Sequence, residues 1–276
     1  MPNSDQRDKV LISAAGVKEL LGNPALVILD IRFDPAGADR RDAYRTGHIP
    51  RAQFVDLGGE LAGEPKGFSG RRPLPDLHDL QRDARRWGIR HDSIVVVYDD
   101  KSGLHAGRAW WTLTWAGIEN VRLLDGGLAA WTQAGHPTTR EIELPSPGDI
   151  VLAGGKLPVL DADQAASFPS KGILIDARAL EQAASGHIPG ALSAPTTGNL
   201  AGAGGFLTSD ELRERFRVIG IDGSRPVGVY CGGGVAASHE IAALTSIGIE
   251  ASLFPGSWSA WSSDPARPVA KGFDPA

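Results

Sequence analysis

The sequence predicts an α/β fold of two tandem domains, each a mostly parallel sheet flanked by helices. Three observations lead there. Four sequence blocks occur twice in the same order, short β-branched runs alternate with helical stretches in both halves, and a stretch rich in proline and glycine separates the halves.

Leu29-Asp30-Ile31-Arg32 recurs as Ile175-Asp176-Ala177-Arg178. Gly47-His48-Ile49-Pro50-Arg51-Ala52 recurs as Gly186-His187-Ile188-Pro189-Gly190-Ala191. Val95-Val96-Val97-Tyr98-Asp99 matches Val227-Gly228-Val229-Tyr230-Cys231, and Gly126 to Trp131 matches Gly256 to Trp261. The separation between partners shrinks from 146 to 130 residues along the chain, so the first copy has the longer connections. A repeat of this length is too long for a solenoid unit and suits duplicated domains.

In chain order, Leu26 to Leu29 and Ile94 to Tyr98 read as strands of the first copy, and Ile173 to Ile175 and Val227 to Tyr230 as strands of the second. Continuous apolar runs of this kind suit strands covered on both faces of a parallel sheet. Helices are expected from Asp76 to Trp87, stopped by Gly88, and from Ser209 to Val218, stopped by Gly220, with Ser209 and Asp210 as the N-terminal cap. Strand and helix in alternation imply parallel pairing through right-handed crossovers. The break lies between about Gly135 and Pro158, where Pro137, Pro145, Pro147, Gly148, Gly154, Gly155 and Pro158 would interrupt helices and central strands alike. Domains are therefore expected over residues 1–140 and 158–276, joined by a linker at 141–157, with loose ends at the two termini.

Bulk composition narrows the function. A formal net charge of −5 gives no reason to expect nucleic acid or an anionic membrane as a partner. No apolar stretch long enough for a signal peptide or membrane span follows Met1 to Lys9, so a cytoplasmic protein is expected. The single cysteine, Cys231, rules out an intramolecular disulfide and a cysteine-cluster zinc site. Taken alone, such a cysteine is most simply a small buried hydrophobe.

Its setting argues otherwise. Cys231 ends a predicted strand and opens the loop Cys231-Gly232-Gly233-Gly234-Val235, after which Ala236 to Ser246 reads as a helix. The carboxyl end of a parallel strand, ahead of a helix N-terminus, is where α/β sheets bind ligands. Three glycines let several N–H groups converge on one centre, and with the helix dipole they favour an anion there, a thiolate or a persulfide. Such stabilisation lowers a thiol from about 8.5 and yields the nucleophile near neutral pH. The first copy has Asp99 at the equivalent place, which cannot carry transferable sulfur, so that copy is expected to be catalytically silent.

The paired Asp-x-Arg and Gly-His-Ile-Pro-x-Ala blocks, the Tyr230-to-Val235 loop and the paired Gly-x-x-x-x-Trp blocks resemble the tandem-domain rhodanese family of thiosulfate and 3-mercaptopyruvate sulfurtransferases, over nearly the whole chain. The resemblance implies two rhodanese-like domains and a ping-pong sulfur transfer. Cys231 would take the sulfane sulfur as a persulfide and pass it to cyanide or a thiol, including one on a thioredoxin-like protein. No cofactor is implied. By resemblance, Gly232, Gly233, Gly234, Val235 and Ala236 would line the substrate site. The mercaptopyruvate type reads Cys-Gly-Ser-Gly-Val-Thr, whereas here Gly233 and Ala236 replace the two hydroxyl residues. Neither the basic residues that follow the cysteine in the thiosulfate type nor the arginines that follow the second Asp-x-Arg in the mercaptopyruvate type are present, so donor identity stays open.

Other residues carry weaker expectations. Asp30, Arg32, Asp176 and Arg178 recur in the silent copy, which favours an anchoring ion pair, and His187 with Pro189 suits a turn. His48 is a candidate site residue because the resemblance links it, with an acid such as Asp39, to the missing loop serine. Arg72, in the basic loop Gly70-Arg71-Arg72-Pro73, is the candidate for donor charge, with Lys101 a further cation; the plain alternative is solvated surface charge. Arg108 is expected to pack its stem against apolar surface. The tryptophans are expected in the core or between domains, with Trp258 at the border of the pocket.

Two rival enzymatic readings fail on residues. Gly232-x-Gly234-x-x-Ala237 with Glu250 imitates a dinucleotide fingerprint, but it accounts for neither the cysteine nor the repeat. A phosphatase-like loop needs an arginine that Ala236, Ala237 and Ser238 do not supply. The remaining alternative is a rhodanese-type binding or regulatory module with little or no turnover.

Overall fold

The computed structural model describes residues 4–34 and 36–272. The loose ends expected at residues 1–3 and 273–276 lie outside the described residues.

The first half runs α1 (Ser4–Val10), β1 (Leu11–Ile12), α2 (Ala14–Leu20), β2 (Leu26–Arg32), α3 (Arg41–Thr46), β3 (Gln53–Asp56), α4 (Leu57–Glu60), α5 (Leu77–Arg86), β4 (Ile94–Tyr98), α6 (Ala106–Trp115), β5 (Val121–Leu124) and α7 (Gly127–Gln133). The second half runs α8 (Ala162–Ser167), β6 (Ile173–Asp176), α9 (Leu180–Ser185), β7 (Leu192–Ser193), α10 (Ser209–Val218), β8 (Val227–Tyr230), α11 (Ala236–Ser246), β9 (Ala251–Leu253) and α12 (Ser257–Trp261). The strands form two all-parallel sheets, ordered β1-β5-β4-β2-β3 and β7-β6-β8-β9. The predicted strands are all present. β2 and β6 extend further than their apolar runs, because Asp30, Arg32 and Asp176 continue the ladder as partners of the neighbouring strands.

Helix ends follow local chemistry. Asp76 caps α5 by accepting from the amides of His78 and Asp79. The cap of α10 is Thr208, one residue before the expected Ser209. Its hydroxyl accepts from Glu211 N while the Glu211 side chain returns to Thr208 N, a reciprocal pair that Ser209 could not close with a glutamate three residues on.

The repeated motifs lock each half in the same way. Arg32 grips Asp30 through Nε at 2.7 Å and Nη2 at 3.1 Å, and also donates to Gly47 O at 2.9 Å. Tyr98 OH donates to Asp30 Oδ2 at 2.6 Å and accepts from Ile49 N at 3.0 Å. In the second half Arg178 grips Asp176 at 2.9 and 2.5 Å and donates to Gly186 O at 2.6 Å, while Tyr230 OH accepts from Ile188 N at 3.1 Å. Each lock ties two strand ends to the Gly-His-Ile turn. Burying such charges without satisfied partners would cost several kcal/mol, so the set is retained or lost as a unit.

The halves meet where α6 crosses α11. A methyl group on Gly107 would sit 2.9 Å from the Cα of His239, so the two backbones touch there and only glycine fits. Next to the crossing lies a buried polar cluster. Thr196 Oγ1 is 2.7 Å from His239 Nδ1, Asn199 Nδ2 donates to Glu240 Oε2 at 2.7 Å, and Arg215 Nε donates to Asn199 Oδ1 at 2.8 Å. Beyond it, Arg7 of α1 reaches Leu207 O and the Asp125 carboxylate, which also accepts from Phe206 N.

Burial pushes the Glu240 carboxyl up to about 7 and His239 down to about 4. A raised acid favours the fold fully below its unfolded value near 4.5, and loses that contribution as pH climbs through 7; by then the loss is about 3 kcal/mol. His239 acts in the opposite sense, costing stability as pH falls from 6.5 toward 4. Glu240→Gln removes only the first contribution. The melting temperature of that variant should therefore gain on the parent protein steadily between about pH 5 and pH 8. A constant difference across that range would show that Glu240 is ionised throughout.

Candidate functional site

Cys231 directly follows β8, and its backbone is pinned from the far side by α12. Its N–H donates to Ser257 Oγ at 3.1 Å, its carbonyl accepts from Trp258 N at 2.9 Å, and Gly232 O accepts from Ser259 N at 3.1 Å. Ser257 is held at φ +54°, a left-handed position that costs a non-glycine residue of order 1 kcal/mol or more. The first copy has Gly127 there at φ +60°, without the strain and without the hydroxyl.

The sulfur accepts from the Gly234 amide at 3.1 Å, with Ser257 Oγ at 4.0 Å. Gly234 has φ +77°, and a methyl group on it would lie 2.8 Å from Pro255 O and 2.9 Å from Arg108 Nη1. Val235 caps α11 and Ala236 opens it, with no acidic residue in the first turn. The expected convergence of several amides is thus represented at Sγ by one. Cys231 is only 3 % exposed.

The full set of amides is found in the other copy. Asp99 Oδ1 accepts from Lys101 N and Gly103 N, each at 2.8 Å, and Oδ2 accepts from His105 N at 2.6 Å and Ala106 N at 2.8 Å. The Asp99 carboxylate oxygens lie one bond further from the backbone than a cysteine sulfur does. They reach the centre of the loop, whereas Sγ stops short of it.

The first half closes the site through the segment between α4 and α5. Arg71 N donates to Ser259 Oγ at 3.0 Å, and Gly70 abuts Gly256 so closely that any side chain on it would strike Gly256 O. A methyl group on Gly232 would lie 3.4 Å from Arg71 Nη2, and one on Gly233 would lie 3.4 Å from Arg72 Nη1. Neither guanidinium is paired with a carboxylate among the described residues. Arg72 stacks over Phe33 at 4.5 Å, and burial together with the neighbouring charge of Arg71 draws its pKa below the ordinary arginine value. The basic loop is therefore beside the cysteine loop, and Arg71 belongs with Arg72.

Other expected positions fall elsewhere. His48 is fully buried. Its Nδ1 lies 2.9 Å from Tyr44 O and its Nε2 3.0 Å from Glu141 O, and the ring stacks on Tyr44 at 3.9 Å. Both ring nitrogens thus face main-chain carbonyls, one of them in the segment between the halves, which fits a structural part for this histidine. Asp39 is exposed and accepts from Arg41 N, so no His48–Asp39 relay exists. Lys101 is exposed at the Asp99 loop. Trp258 stacks with Arg178 at 4.6 Å and contributes its amide to the Cys231 loop. Arg108 is buried between the two halves, and its guanidinium in addition meets main-chain carbonyls from both. Ser257 and Ser259 carried no signal beyond their place in the repeated tryptophan block.

A rhodanese-like domain model matches residues 13–134 and 160–264. The chain is 45 % identical to the "Putative thiosulfate sulfurtransferase SseB" of Mycobacterium tuberculosis, over 96 % of this chain and 98 % of that protein. It is 42 % identical to the "Probable 3-mercaptopyruvate sulfurtransferase" of Pseudomonas aeruginosa, over 95 % and 98 %. The crystal structure of SseA from Escherichia coli superposes with a TM-score of 0.81 at 29 % identity, over 90 % of this chain and 98 % of that one. The fold, the cysteine loop and these relatives define a sulfurtransferase. The chain belongs to the rhodanese family, with two rhodanese-like domains in tandem. Its relatives imply small-molecule sulfur donors and acceptors, and no helix among the described residues is long and apolar enough to cross a membrane.

Gly234→Val tests the loop directly. A β-branched side chain suits neither φ +77° nor the 2.8 Å gap to Pro255 O. Sulfur-transfer rate should fall by about a hundredfold or more, consistent with a misplacement of about 1 Å in the reacting group. Unchanged kinetics would show that the amide on Sγ is dispensable.

Proposed function

We propose that the chain moves a sulfane sulfur from thiosulfate or 3-mercaptopyruvate, through a persulfide on Cys231, to a thiophilic acceptor. That acceptor is cyanide or a thiol, including one on a thioredoxin-like protein. The observation that carries this reading is the only cysteine of the chain, placed on a glycine loop with an amide on its sulfur and two unpaired guanidinium groups beside it. In the first step the Cys231 thiolate attacks the outer sulfur of the donor. For thiosulfate, the new S–S bond forms as the S–SO3 bond breaks, and sulfite leaves with the electron pair; for 3-mercaptopyruvate it forms as the C–S bond breaks, and the electron pair leaves with the enolate of pyruvate, which then takes up a proton. In the second step the acceptor attacks the terminal sulfur and the thiolate departs.

The Asp99 cradle supports the persulfide stage. A persulfide extends from the backbone by as many bonds as an aspartate carboxylate does, so its terminal sulfur would reach the loop centre that Sγ does not. The second loop is two residues shorter than the first, from cysteine or aspartate to the helix, and its three glycines give its amides freedom to turn inward. On this reading the first domain is a silent copy whose own cradle is filled by its carboxylate. An unoxidised reactive thiol suits a reducing compartment such as the cytoplasm.

Between the two donors, the paired guanidinium groups favour the dianion. Two unpaired positive charges can be balanced by thiosulfate on arrival and by sulfite on departure, whereas mercaptopyruvate brings one carboxylate. Arg71→Gln with Arg72→Gln should raise KM for thiosulfate by about 10- to 100-fold, the loss of one to two charge-assisted hydrogen bonds. An unchanged KM would remove these residues from the donor site.

A weakly active binding module is the second reading, favoured by the 3 % exposure of Cys231. Mass spectrometry after incubation with thiosulfate or mercaptopyruvate separates the two. A gain of about 32 Da, one sulfur, that vanishes with cyanide and is absent in Cys231→Ser supports transfer. No adduct with either donor would leave the module.

A further inference from the structure

Arg108 lies on α6 of the first domain, fully buried, with its guanidinium caged by main-chain carbonyls alone. Nε donates to Leu61 O at 3.2 Å, Nη1 to Gly234 O at 3.3 Å, and Nη2 to Arg72 O at 3.3 Å and Pro73 O at 3.2 Å. No carboxylate among the described residues pairs with it. Four of its five N–H groups meet a carbonyl, and its charge meets no carboxylate among the described residues. A buried cation with no countercharge is strongly disfavoured, and here burial pulls the guanidinium down to about 10.

A staple of the covering loop would need hydrogen-bond donors but no charge. The repeat provides the comparison. Ser238, at the position of α11 that corresponds to Arg108 on α6, donates its hydroxyl to the same Gly234 O at 2.9 Å and remains neutral. The anion that the Arg108 charge lacks has one candidate nearby. Gly234 receives Arg108 on its carbonyl and gives its amide to Cys231 Sγ at 3.1 Å, so one glycine separates the guanidinium from the sulfur. The other groups facing the sulfur are Arg71 and Arg72 from the loop and Ser257 from α12, and α11 has no acid in its first turn.

We infer that Arg108 supplies, from the first domain, the buried countercharge for the sulfur anion of Cys231, and that the silent domain is thereby part of the second domain's active site. The inference rests on reading Cys231 as the nucleophile. Thiolate and persulfide each carry one negative charge, so a fixed, buried guanidinium matches both stages of the cycle. The outer pair, Arg71 and Arg72, meets the donor charge that comes and goes. Gly107 makes this geometry available, since any larger residue would lift α6 off α11 and withdraw the neighbouring Arg108 from the loop. Arg108 acts through the field on the reacting sulfur rather than by contact with a substrate, which makes it a positioning residue.

The test uses the full chain and the neutral reagent iodoacetamide, which reports on Cys231 alone because there is no other cysteine. Alkylation rate is measured against pH for the parent protein, Arg108→Gln and Arg108→Lys, each at a temperature where its far-ultraviolet dichroism is native. Gln keeps hydrogen-bond donors without charge, and Lys keeps the charge with poorer geometry. The expected result is that Arg108→Gln moves the midpoint of the profile upward by about one pH unit and slows alkylation near pH 7 by about tenfold, while Arg108→Lys stays near the parent. A Gln profile that coincides with the parent, or a Lys profile displaced as far as that of Gln, would overturn the inference and leave Arg108 a staple. Failure of the sulfur-transfer reading is distinguishable: it would appear as no sulfur adduct on the parent protein, whatever the alkylation profiles show.

Discussion

The backbone contact between α6 and α11 at Gly107 governs the rest of the molecule. Two helices that touch at their main chains bring the residues beside the contact within reach of the opposite domain's loop. Arg108 then meets Gly234, and the segment carrying Arg71 and Arg72 is drawn over the cysteine loop and tied there through the same guanidinium. The candidate site is thus assembled across an interface, although its one cysteine belongs to a single domain. A larger residue at 107 would part the two helices and draw Arg108 away from the Gly234 carbonyl, changing distances to which the chemistry of a site is sensitive.

Within each domain the duplicated framework and the duplicated function have parted. The Asp–Arg–Tyr lock is reproduced in both halves with hydrogen bonds between 2.5 and 3.1 Å, because it determines where a Gly-His-Ile turn sits against two strand ends. That need is independent of chemistry. Divergence is concentrated at the end of the central strand. There the Asp99 carboxylate accepts from four amides, while Cys231 Sγ accepts from one. The strained backbone at Ser257 fits the same division, since the silent copy has relaxed that position to Gly127.

Local patterns were sufficient for much of this. The β-branched runs specified the strands of both sheets, the spacing of the blocks revealed the duplication, and a cysteine followed by three glycines between strand and helix marked the nucleophile. What local patterns could not show are partners distant in sequence. The His48 ring faces the carbonyls of Tyr44 and Glu141, the second of which lies 93 residues away. Arg108 beside two tryptophans gave the pattern of a packing residue, and its partners at Leu61, Arg72, Pro73 and Gly234 have no local signature.

The sequence by itself determined the α/β architecture and the family, because each follows from periodicity, repetition or a contiguous motif, and it singled out Cys231 as the candidate nucleophile. The basic loop of the first half was already a candidate source of charge, but tertiary structure alone placed it against the cysteine loop and added Arg108 beside it. Those charges reside on long side chains from a loop and a helix more than a hundred residues upstream. Their positions depend on how closely two helices can approach, a quantity set by a single missing side chain at Gly107 and by the chain that happens to face it.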